Sequence, residues 1–146
     1  MKLRTKLAIV FGLLLLAGVA YYGLSPLWRT SSLAEVVPAS ATTLVAPRPV
    51  VATSGHPASG TVSILRAGNV DTIRFENFKT INGPDLRVYL STDLKATEFV
   101  DIGELKATQG NVNYVIPTGT DLSKYHYVLV WCQDFSVLFN STDILL

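Results

Sequence analysis

Tyr127-Val128-Leu129-Val130-Trp131-Cys132 is apolar on both parities, whereas Leu86-Arg87-Val88-Tyr89-Leu90 is apolar on alternate residues only. Side chains alternate across a strand, so the second pattern marks a strand with one dry face and the first a central strand covered on both. Outward from these, Val62 and Ile64 alternate with Thr61 and Ser63, and Ile73 and Phe75 alternate with Thr72, Arg74 and Glu76. Val112, Tyr114 and Ile116 repeat the pattern before Pro117; Phe135, Val137 and Phe139 follow a break at Gln133-Asp134; Ile144 to Leu146 close the chain. Turn residues stand between them at Asn69, Asn82-Gly83-Pro84-Asp85, Gly110-Asn111 and Thr118-Gly119. About seven or eight short strands, with no sustained helical period, predict an all-β domain over residues 55–146. The expected form is a single antiparallel β-sandwich or flattened barrel.

Upstream the composition changes twice. Residues 29–60 hold Pro38, Pro47, Pro49 and Pro57 among many Ser, Thr and Ala, and proline removes an amide donor and restricts the residue before it. Residues 29–54 therefore read as a stalk, with the Val36-Val37 and Val50-Val51 pairs as the means by which part of it would pack on the domain. Residues 1–28 read as a cytoplasmic tip and a transmembrane signal-anchor. Leu7 to Trp28 carries no charge, and as a helix it would rise about 33 Å, enough to cross a hydrocarbon core. Lys2, Arg4 and Lys6 precede it, and Tyr21, Tyr22 and Trp28 lie toward its far end, which puts the N-terminus in the cytoplasm and the domain outside it. The competing reading is a cleaved signal peptide with Gly18-Val19-Ala20 as a weak site, but the uncharged run continues past it. A lipoprotein signal fails because Val19 stands where the acylated cysteine belongs.

The charge balance excludes one class of partner. The chain has 12 basic and 11 acidic residues and a net charge of +1. Seven of the basic and ten of the acidic residues follow residue 60, a net of −3, which leaves no electrostatic footprint for nucleic acid. The hydrophobic content of 49% is high for a small soluble protein, and the excess sits at the N-terminus.

Cys132 is the single cysteine and the one side chain with intrinsic redox or soft-ligand chemistry. It has no partner for a disulfide within the chain. Against a reactive role stands the fact that free cysteine packs as a small hydrophobe, and Cys132 ends an apolar strand; the nearest charge in sequence, Asp134, would oppose thiolate formation. His126 lies at even spacing from Cys132, about 20 Å along an unbroken strand, too far to share a metal. His56 sits in the proline-rich segment, and two scattered histidines with one cysteine make a poor zinc set. The acids Asp85, Asp93, Glu98, Asp101, Glu104, Asp121 and Asp134 show no paired spacing, and there is no phosphate loop or nucleophile elbow. A hydrolase is therefore the weakest of the readings. Asn140-Ser141-Thr142 fits a glycosylation sequon.

Several longer stretches occur in order. They are His56-Pro57-Ala58-Ser59-Gly60-Thr61-Val62; Phe75-Glu76-Asn77-Phe78 with Asn82 to Leu90; Gly103 to Lys106 with Gly110 to Tyr114; and Val130-Trp131-Cys132-Gln133-Asp134-Phe135-Ser136-Val137-Leu138-Phe139. Together they resemble the electron-transfer DM-thirteen domain family over roughly residues 50 to 146. The resemblance implies an extracytoplasmic β-domain acting in electron transfer, with Cys132 as the redox thiol or as ligand to a prosthetic group such as haem. Trp131 and Phe135 beside it would line the cofactor site. The departure is Asn140, where the family pattern runs on to glycine.

The expected function is thus a membrane-anchored accessory redox domain working through Cys132, rather than a stand-alone enzyme. Its partners would be the lipid bilayer through residues 7–28 and a redox or envelope protein that completes the transfer. The alternative is a non-catalytic cell-envelope binding module in which Cys132 is structural.

Overall fold

The computed structural model describes the backbone of residues 3–24 and 30–145, and the side chains of residues 5–21 and 30–145. Helix α1 runs Leu3–Leu24. The strands that follow are β1 (Ser32–Ala34), β2 (Thr42–Pro49), β3 (Val51–Ala52), β4 (Ala58–Ala67), β5 (Val70–Thr80), β6 (Leu86–Ser91), β7 (Phe99–Glu104), β8 (Gln109–Val115), β9 (Tyr127–Cys132) and β10 (Val137–Asp143).

They form two five-stranded sheets, ordered β1-β8-β5-β4-β2 and β3-β10-β9-β6-β7. Both sheets are open at their edges, so of the two expected forms the sandwich is realised and the barrel is not. Val62, Ile64, Ile73, Phe75 and Val112 of the first sheet meet Val88, Leu90, Val128 and Val130 of the second in one apolar cluster. These are the inward parities of the alternating runs, and β9, flanked by β6 and β10, is the central strand that its two-sided apolarity predicts.

Two expectations are corrected. The segment expected as a stalk is folded into the sheets from residue 32 onward: β2 forms an edge of the first sheet, β3 an edge of the second, and Val45 and Val50 are buried. Proline does not prevent this, because Pro47 and Pro49 lie on an edge strand whose register slips between Val45 and Arg48, where an absent amide leaves no ladder bond unmade. The sandwich is also not purely antiparallel, since β1 pairs in parallel with β8. Gly110 permits that pairing: its φ is +109°, and a Cβ there would fall 1.9 Å from the Leu33 carbonyl oxygen.

Among the described residues, no helix is long and apolar enough to cross a membrane. Residues 25–28 of the expected span lie outside the described residues.

Candidate functional site

Cys132 closes β9 opposite Leu86 of β6 and Val137 of β10, with its side chain on the inner face. The loop from Asn82 to Asp85 folds over it. That loop is pinned by Gln133, whose backbone N–H donates to the Asp85 carbonyl at 3.0 Å, and Asp85 takes a left-handed φ of 43° to turn it. Gly83 lets the loop lie flat on Phe139, since a Cβ there would come within 2.8 Å of that ring. The result places the Pro84 carbonyl where the Cys132 thiol donates to it, at 3.0 Å.

From the other side, the edge strand β3 pairs with β10 and delivers the turn Thr53–His56. The Thr53 hydroxyl lies 2.9 Å from both the Leu138 and Phe139 carbonyls, beside the register shift that opens β10 between Leu138 and Asn140. It also lies 3.0 Å from His56 Nδ1, and the imidazole stacks on Phe139 with centroids 4.1 Å apart.

Between loop and turn is an open pocket of about 350 Å³, lined by His56, Ile81, Gly83, Pro84, Cys132, Phe135 and Phe139 among others. Cys132 is only 1% exposed, yet it contributes to this wall. Phe135 is 69% exposed at the rim, on the hairpin that Ser136 turns with a φ of 52°. Carbon surface dominates the lining, which suits a flat apolar molecule better than a charged one.

The structure separates the other expected members. Trp131 does not join Cys132: neighbours on a strand face opposite ways, and Trp131 lies on the outer face, where it stacks with Tyr89 at 6.4 Å while Tyr89 stacks with Phe99 at 4.2 Å. His126 pairs with Asp143 at 3.0 Å and does not line the pocket. Asp85, Asp101 and Glu104 gather about the Arg87 guanidinium at 3.6, 2.7 and 3.9 Å. Glu98 is held below the usual carboxylate range by the hydrogen bond from Lys124. Among the described residues no group of three or more His, Cys, Asp or Glu is placed to hold a metal. Asn140 is 2% exposed and its Nδ2 donates to Thr80 Oγ1, so the sequon is not presented by the folded domain; Asn140 lies within β10.

His56, set aside in the sequence as a poor metal ligand, lines this pocket. The available signal was Thr53 three residues before it, a spacing that lets a hydroxyl meet the imidazole across a turn. Compared with known families, residues 50–144 match the one described as electron transfer DM13. No match is found among curated proteins or solved structures.

Proposed function

The chain belongs to the electron transfer DM13 family, and from that membership we propose that it is a membrane-anchored accessory redox domain whose working group is the Cys132 thiol. The observation that carries this reading is access: the sulfur-bearing residue is buried in the sheet but forms part of the wall of an open pocket. Cys132 has no second sulfur in the chain with which to close a disulfide, so the second sulfur or the electron acceptor comes from a partner. Exposed Phe135, Ile81 and Val137 around the mouth offer that partner an apolar rim. The anchor is the uncharged run from Leu7, with the three basic residues before it holding the N-terminus in the cytoplasm.

Haem does not suit this pocket. A volume of about 350 Å³ is at the small end of ligand sites. A four-pyrrole macrocycle with its propionates would stand largely outside it, and the thiol is already directed to the Pro84 carbonyl. No step here runs through haem.

The second reading, an envelope binding module with a structural cysteine, draws on the same hydrogen bond and on the 1% exposure of Cys132. Alkylation of the full chain by iodoacetamide separates the two. The redox reading expects modification of the native protein, slower than in denaturant but complete within hours. A thiol inert until the protein unfolds supports the binding module instead.

A further inference from the structure

The hydrogen bonds around Thr53 select one tautomer of the neutral His56 imidazole. A hydroxyl has one proton, and carbonyl oxygens can only accept; the Phe139 carbonyl already takes the Thr53 backbone amide at 3.2 Å, so the hydroxyl that satisfies the Leu138 carbonyl at 2.9 Å is left to accept from His56 Nδ1–H. The neutral imidazole therefore carries its lone pair on Nε2. Among the described residues Nε2 has no hydrogen-bond partner, and no buried side-chain nitrogen or oxygen lacks one, so Nε2 is reachable from solvent. The other polar side chains of the pocket are already engaged. The Cys132 thiol donates to Pro84, and Asn82 accepts the Gly83 amide at 3.0 Å and is engaged further within the protein.

What remains is an apolar slot with aromatic walls and, of its side chains, one acceptor without a partner among the described residues, His56 Nε2. A ligand that fits it is flat, carbon-rich and carries a single well-placed donor. We propose that the pocket binds a phenolic ring, such as that of a hydroquinone, whose hydroxyl donates to His56 Nε2 while the ring packs between Phe135, Phe139 and Pro84. The proposal rests on the reading of this pocket as the working site and names the class of molecule it receives.

The test uses the full chain in lipid nanodiscs, anaerobically, with hydroquinone and its dimethyl ether 1,4-dimethoxybenzene as probes. Hydroquinone is expected to bind about fivefold more tightly than the ether, the worth of one hydrogen bond, and to shift the Nε2 nitrogen resonance of His56. His56→Phe keeps a ring to stack on Phe139 and is expected to abolish the preference. Equal affinity for the two probes, or a preference that survives in His56→Phe, overturns the proposal. If His56→Phe does not fold, the Nε2 resonance of the unaltered chain decides, and its failure to move on adding hydroquinone has the same meaning. A native thiol inert to iodoacetamide alongside preferential hydroquinone binding would defeat the redox reading and leave this one standing; a reactive thiol with no preference would do the reverse.

Discussion

At Glu35 the N-terminal segment is fastened to the first sheet, and at Thr53 it is fastened to the second, by networks that differ in what they leave over. The Glu35 carboxylate accepts the Asn113 amide and meets Lys106 Nζ at 3.3 Å, while its carbonyl accepts from Arg74 Nη1 at 3.1 Å. Arg74 in turn donates to Asn113 Oδ1 and Glu76, and Asn113 Nδ2 donates to the Val36 carbonyl. Each of these bonds ties one part of the fold to another. At Thr53 the chain is also held by hydrogen bonds to backbone, but the network ends in an imidazole nitrogen with no partner among the described residues, beside an apolar pocket. A polar network that closes on itself holds a strand in place; one that ends at a solvent-reachable nitrogen leaves that acceptor available to a ligand.

The contrast is broken most forcefully at its closed end. Arg74 is 4% exposed, and Arg74→Met leaves Asn113 Oδ1 and the Glu35 carbonyl without their donor in the sheet. A loss of about 3 kcal/mol is expected from the urea midpoint of the full chain. Hydrogen exchange should quicken at the Glu35 amide and stay unchanged at His56.

Alkali is the next lever on the same tie. Burial pushes the Tyr114 phenol up to about 12, and its oxygen accepts the Lys106 amide at 2.8 Å. Because the folded value is raised above the unfolded value of about 10, the contribution is intact below pH 10 and is lost as the pH climbs toward 12. Stability should fall by about 2 kcal/mol across that window, and Tyr114→Phe should remove most of the fall while leaving the loss from lysine deprotonation. A decline of the same size in Tyr114→Phe would show that the phenol is not its source.

The open end answers to Thr53→Val. The hydroxyl bonds to the Leu138 and Phe139 carbonyls disappear, at a cost of about 1 to 2 kcal/mol. The imidazole is released from a fixed tautomer, so preferential hydroquinone binding should weaken although His56 is still present. If the preference is unchanged in Thr53→Val, the tautomer is set by something other than this hydroxyl.

How much of this was legible in advance follows from the range of each interaction. Period-two alternation in 86–90 and 112–116 and the two-sided apolarity of 127–132 are local signals, and they identified β6, β8 and the central strand β9. Strand alternation places Trp131 on the face opposite Cys132, so grouping Trp131 with Cys132 ignored a consequence of the strand itself. β1 and β2 were hidden because a three-residue parallel strand and a bulged, proline-bearing edge take their order from partners distant in sequence. His56 was hidden for the same reason: its role depends on carbonyls at Leu138 and Phe139, which nothing near residue 53 announces.

The smallest effect tests whether the closed tie is electrostatic or geometric. Lys106 Nζ lies near Glu35 and donates to the Asn113 carbonyl at 2.6 Å, but its side chain is 45% exposed, and its ammonium sits 5.1 Å from the Tyr114 ring centroid. An ion pair that wet contributes less than about 1 kcal/mol, and salt screens it. Lys106→Met keeps the stem that covers Tyr114 and removes the charge. The urea midpoint of Lys106→Met should therefore lie slightly below that of the parent at low salt and converge with it at 1 M salt. A gap that persists in salt would place the contribution in the hydrogen bond to Asn113 rather than in the charge. That result would strengthen the view of the Glu35 tie as a network held by geometry, in which Arg74 rather than Lys106 is the member that cannot be spared.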